Sequence, residues 1–278
     1  MNRVFASLFL FFVPLILFSL FGPEVENGRS PSQVVNENCL IKIHGGIGLR
    51  NLRTFGEIKE GTTNKATVYI HGINKGFEEF KEAHNSLRPS DTAIFVDYRK
   101  EMELLYEIGK GKDQDQIEKV LNDIVNKILD GFSVIGDDVD IIEVESYSMG
   151  GPLADLVISR LPKDLKSKVK ILVQRSPAYG THKIIKRTVT MGIEEAISKS
   201  AIIETISDMA TKEFDHSVKT FIYSSKNEKL VGMDYIEERA RKTNSEVVIL
   251  EADKKIMHDD LIEYSLNDPN YQKNVLGR

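Results

Sequence analysis

The sequence predicts an α/β protein, a mainly parallel sheet flanked by helices. Three observations carry this. Short, mostly apolar runs such as "KATVYIHG", "TAIFVDY", "VDIIEVES" and "KVKILVQRS" have the length and continuity of strands buried on both faces. They alternate with helix-like segments from about residue 66 to residue 268. The clearest helix, within "DQDQIEKVLNDIVNKILDG", has apolar residues at 117, 120, 121, 124, 125, 128 and 129, one face of a helix, with Gly131 as its expected stop.

The elements follow in order. "CLIKI" and "TFGEIK" suggest an opening pair of strands, and "KATVYIHG" a buried strand closed by glycine. Phe77 to Leu87 is helical in pattern and is stopped by Pro89-Ser90, after which "TAIFVDY" is the next strand. "VDIIEVES" precedes a helix from Pro152 to Leu161, and "KVKILVQRS" follows it. "VKTFIYSS", a helix from Asp234 to Arg241 and "SEVVIL" continue the alternation, and "DDLIEYSL" closes it as a helix. The stretch from His182 to Phe214 breaks the rhythm. It is helix-prone and rich in Ile, Met and Ala, either a pair of packing helices or a substrate-covering lid.

Composition narrows the function. The chain has 278 residues, of which 41% are apolar and 28% charged, ordinary for a globular protein. Its formal charge is 37 − 42 = −5, so no general electrostatic pull toward nucleic acid is expected. Cys39 is the single cysteine, which excludes an internal disulfide and a cysteine-based metal cluster.

The N-terminus differs from the rest. Arg3 precedes an uncharged, mostly apolar run of 18 residues, Val4 to Phe21, interrupted by Pro14 and ended by Gly22-Pro23. So continuous a run lacks the polar face of a surface-packed helix. Residues 1–22 are expected to be an export signal peptide or a membrane anchor, 23–38 a polar linker, and 39–278 the folded domain. Arg3 before the run, with Glu24 and Glu26 after it, puts that domain on the non-cytoplasmic side.

The chemistry centres on "VESYSMGGP", a strand end, a serine and a helix start. A sharp strand-to-helix turn strains the serine backbone and demands small neighbours, here Ser146 and Gly150 with Gly151 beyond. It also puts the Met149 N–H at a helix N-terminus, where it can donate to a developing oxyanion. A serine nucleophile needs a base, and the base an orienting acid. Of six histidines (44, 71, 84, 182, 216 and 258), His84 and His182 look helical and His216 precedes a strand. His258 follows the last strand in "EADKKIMHDD", positioned to return over the sheet edge. Glu228 lies just beyond the strand Val218–Ser224, with Asp234 and Asp253 as fallback acids.

Ser148, Glu228 and His258 in that chain order, each after a strand, resemble the α/β-hydrolase fold of lipases and esterases. "VYIHGIN" resembles that family's His-Gly loop and implies Ile73 as second oxyanion donor through its backbone N–H. "SMGG" is similar to its nucleophile turn, "SPAYGT" to its Pro-x-x-Gly-Ser/Thr segment, and "KNEKLV" to the acid segment, which favours Glu228 over Asp234. "IHGGIG", His44 to Gly48, is an earlier and lower-ranked His-Gly candidate. Two departures stand out: Ser146 for glycine and Glu228 for aspartate. The resemblance implies a serine hydrolase acting on a small-molecule or lipid ester through an acyl-enzyme, with no metal or organic cofactor. The apolar N-terminus, if uncleaved, would separately bring the chain into contact with a membrane. A different class of reading is a catalytically inactive α/β-hydrolase domain serving as a membrane-anchored binding module.

Overall fold

The computed structural model describes residues 33–34, 41–43, 46–48, 56–73, 76–180, 193–226, 233–251, 256 and 260–277. The expected signal or anchor (1–22), most of the linker (23–38) and the first part of the insertion (182–192) lie outside the described residues.

The strands are β1 (Gln33–Val34), β2 (Ile41–Ile43), β3 (Gly46–Gly48), β4 (Gly56–Lys59), β5 (Lys65–Ile70), β6 (Thr92–Val96), β7 (Ile141–Tyr147), β8 (Val169–Arg175), β9 (Lys219–Ser225) and β10 (Glu246–Leu250). Eight form one sheet in the order β1-β4-β6-β5-β7-β8-β9-β10. β1 and β4 pair antiparallel, as do β4 and β6, and every pairing from β6 to β10 is parallel. The expected opening pair is different in fact. β2 pairs with β3 in a separate two-stranded ribbon, while β4 joins β1, inside the expected linker, at the edge of the main sheet. Two short runs separated by two residues, one of them glycine, close on each other more readily than on a distant strand. "IHGGIG" therefore spans this ribbon and does not end a central strand.

The helices are α1 (Glu78–Leu87), α2 (Arg99–Gly111), α3 (Gln114–Ser133), α4 (Gly150–Arg160), α5 (Lys163–Lys168), α6 (Ile193–Lys212), α7 (Met233–Thr243), α8 (Leu261–Leu266) and α9 (Pro269–Asn274). α3 starts where the Asp113 side chain caps the Gln116 N–H at 3.1 Å. It runs through Gly131, because the next residue, Phe132, is buried and draws the last turn onto the core. α4 starts at Gly150, two residues before the expected Pro152. α2 has no sequence expectation behind it, since its fully buried residues are only Met102, Leu105 and Gly109. The described part of the insertion, α6, packs on α2, α3 and α4 and buries Ile202, Ile206 and Ala210. It is a helix of the packed layer.

Side chains alternate across the sheet as strand geometry demands. Val68, Ile70, Ile94, Val144 and Leu172 face the α2–α3–α4–α6 layer. Tyr69, Phe95, Val173, Phe221 and Tyr223 face the opposite layer, which includes α1, α8 and α9. Several charges share that second face. Arg88 contacts Glu143 at 2.5 Å and Glu145 at 3.0 Å, and Arg175 contacts Glu145 at 2.8 Å. Tyr271 donates to Glu145 at 2.6 Å, and Arg175 Nε donates to Ser265 Oγ at 2.5 Å. Burial alone would raise the Glu145 pKa, but Arg175, Arg88 and Tyr271 hold it below the usual carboxylate range. The network ties α8 and α9, the last elements of the chain, to central strands.

Removing one charge from such a network strands the others. Glu145→Gln is expected to lower unfolding free energy by about 3–5 kcal/mol in urea denaturation at pH 7. His84 supplies a pH signature. Its Nδ1 accepts from the Tyr69 hydroxyl at 3.0 Å and its Nε2–H donates to the Asp91 carbonyl at 3.1 Å. Burial, then Lys59, lower its pKa to about 4. The unfolded chain protonates this histidine near pH 6.5 and the native one only near 4. The stability it confers is therefore complete above 6.5 and is lost as pH falls toward 4, by roughly 3 kcal/mol. The stability gap between wild type and His84→Gln is expected to shrink by that amount between pH 7 and pH 4.

Candidate active site

β5 and β7 are neighbours, yet β5 connects onward to β6 on one side and β7 to β8 on the other. A crevice opens at the carboxyl ends of two strands whose connections diverge in this way. The segment His71-Gly72-Ile73 follows β5 there, and Ser148 follows β7.

Ser148 is half-buried with φ 54°, in the left-handed region that L-residues seldom occupy. Its neighbours explain why small residues surround it. A Cβ on Gly72 would stand 2.9 Å from the Ser148 Cβ. A Cβ on Gly150 would overlap the Ile70 carbonyl oxygen and stand 2.7 Å from that of His71. Helix α4 can begin directly after the turn only because nothing projects from Gly150. Ser146 is tolerated where the pattern has glycine because it is fully buried and its Oγ donates to the Val173 carbonyl at 3.1 Å. Met149 occupies the N-cap position of α4, with its side chain in the core. Its N–H belongs to the group at a helix start that has no partner inside the helix.

The loop after β5 is fixed by His71. Its Nδ1–H donates to the Gly72 carbonyl at 2.9 Å, its own carbonyl accepts from the Tyr98 hydroxyl, and its ring stacks on Tyr98 at 3.8 Å. Burial lowers its pKa, so the ring is neutral at pH 7. With the Gly72 carbonyl turned toward His71, the Ile73 N–H on the same trans peptide points the opposite way.

Glu228 and His258 lie outside the described residues, as does Asp253. Asp234 is exposed in the first turn of α7. The roots of the two loops are described. β9 ends at Ser225, three residues before Glu228, and Ile256 is buried two residues before His258. Ser225 Oγ donates to the Ile256 carbonyl at 2.9 Å. Ser148, Ser225 and Ile256 thus share the carboxyl edge of the sheet.

Two polar features near the turn have no counterpart in the sequence expectations. Asp155, buried on α4, accepts from His216 Nε2 at 3.0 Å, Arg239 at 2.7 Å, Gln174 at 3.1 Å and the Tyr179 hydroxyl. Ser176 has φ 44°, a second left-handed serine one strand from the first. A lone aspartate in an apolar helix was the only visible signal for the former.

No protein-family model matches the sequence, and no curated protein matches it. Solved structures do. An esterase of Pyrococcus furiosus is similar with a TM-score of 0.54 and 14% identity, over 80% of this chain and 83% of that one. A lipolytic enzyme from the metagenome-derived pair LipS and LipT has a TM-score of 0.50 at 12% identity, over 78% and 92%. The haloalkane dehalogenase DatA of Agrobacterium tumefaciens has 0.52 at 11%, over 80% and 91%. Likeness at such identities is likeness of fold, and together with the strand order it establishes that this chain has the α/β-hydrolase fold.

Proposed function

We propose that the protein is a serine hydrolase that cleaves carboxylic esters through an acyl-enzyme. The observation that carries the reading is the left-handed Ser148 at the switch point of the sheet, between the end of β7 and the start of α4. An esterase and a lipolytic enzyme among the similar folds support it.

In this reading His258 takes the proton from Ser148 Oγ as the oxygen attacks the ester carbonyl, and Glu228 orients the imidazole and stabilises its charge. The tetrahedral oxyanion is bound by the N–H groups of Met149 and Ile73. His258 then protonates the departing alcohol, leaving the acyl group on Ser148. Water, deprotonated by His258, attacks that ester, and the serine is released with its proton restored. Residues 1–22 serve as an export signal or anchor, with the domain on the non-cytoplasmic side. The substrate in this reading is a small-molecule or lipid ester.

The test uses purified full-length protein with a fluorophosphonate probe and p-nitrophenyl esters of several chain lengths. Wild type is expected to label and turn over. Ser148→Ala and His258→Ala should fall to background, a loss of about a thousandfold or more in kcat, and Glu228→Gln should lose on the order of a hundredfold or more. A folded wild type that neither labels nor hydrolyses any of the esters overturns the proposal.

A further inference from the structure

The segment Gln174–Tyr179 meets Ser148–Asp155 at successive points. The Ser148 N–H donates to the Arg175 carbonyl at 2.9 Å, and the Ser148 carbonyl accepts from the Ala178 N–H at 2.9 Å. One turn therefore holds both backbone ends of the serine. It can do so because the chain reverses between those two contacts at Ser176, whose φ of 44° lets the 175 carbonyl and the 178 N–H face the same residue. Pro177 lies against Gly151 so closely that a Cβ there would stand 2.9 Å from the Pro177 Cα and overlap its Cβ. Gln174 donates to the Gly151 carbonyl and to Asp155, both at 3.1 Å, and the Tyr179 hydroxyl also donates to Asp155. The far end of the contact is thus anchored on a buried carboxylate that Arg239 and His216 also hold.

The base of the turn is anchored as firmly. Arg175 is wholly buried, with its guanidinium against Glu145 and its Nε bonded to Ser265. Its carbonyl therefore cannot drift without disturbing the charge network on the opposite face of the sheet.

We propose that the Arg175–Tyr179 turn is a positioning element for the nucleophile, setting the backbone, and hence the Oγ direction, of Ser148. This rests on the hydrolase reading and extends it to residues that act through the backbone of Ser148. An ordinary packing contact would influence stability alone, whereas a positioning element acts on the rate of the covalent step.

Two variants separate these. Gly151→Ala pushes Pro177 and the turn away from Ser148 while removing no group of the proposed triad. Tyr179→Phe releases only the anchor on Asp155. The second-order rate of fluorophosphonate labelling and the kcat and KM for a p-nitrophenyl ester are measured on the full chain, with thermal melting alongside. Gly151→Ala is expected to lower labelling and kcat at least tenfold, with KM within twofold of wild type. Tyr179→Phe, which keeps the fold even if Gly151→Ala does not, should lower both about threefold or more. Wild-type rates in a folded Tyr179→Phe protein, or losses confined to KM or melting temperature, overturn the positioning role and leave the hydrolase reading intact. A wild type inert to probe and esters overturns both.

Discussion

Ser148 is an L-residue held in the left-handed region, a conformation that costs about 1–3 kcal/mol and persists only where its surroundings over-determine it. Much of the local sequence can be understood as the means of doing so. The turn must pass from a central strand to a helix within two residues, Ser148 and Met149. That is possible only if Gly72 and Gly150 present no side chain where the loop after β5 crosses it. The glycines here are demanded by contact and not by their own dihedral angles, since neither has a positive φ. Strain at one residue is thereby converted into a packing requirement at others, far away in sequence.

The fold itself was largely legible, because strands buried on both faces of a parallel sheet must be continuously apolar, and each such run became a strand. Where the pattern was thin, legibility failed. α2 shows a sparse apolar stripe because part of its contact surface is Gly109, which lies close against Ser198 of α6. β2 was visible as a strand but its partner was not, since pairing depends on the connection as much as on the run itself. The end of α3 was misjudged because burial of Phe132 outweighs the helix-stopping tendency of Gly131.

The turn at Ser148 was legible in the sequence, but its supports were not. Ser148 could be found because a strand, a small-residue turn and a helix are all local. The charges around it were visible as anomalies: Glu143, Glu145 and Arg175 sit in strands that otherwise read as buried. Their partners were not deducible, because Tyr271 is 126 residues from Glu145 and Ser265 is 90 from Arg175. Asp155 posed the same problem, with Arg239 lying 84 residues away. Hydrogen bonds between distant residues leave no periodic trace, so only the cost of burying an unpaired charge hints that partners exist.

These two buried networks acquire a joint meaning on β8. Successive residues of a strand face opposite sides of the sheet, so Gln174 reaches Asp155 of α4 on one face while Arg175 reaches Glu145 of β7 and Ser265 of α8 on the other. The end of the strand is therefore gripped from both faces immediately before it turns at Ser176. Apolar packing alone would leave such a strand end free to slide by small amounts, because dispersion contacts are non-directional. Hydrogen bonds and ion pairs fix direction as well as distance. A turn that has to hold both the N–H and the carbonyl of a strained serine needs that directionality. Burying charge on either side of the sheet is a physically reasonable way to obtain it, even where the same volume filled with apolar side chains would be no less stable.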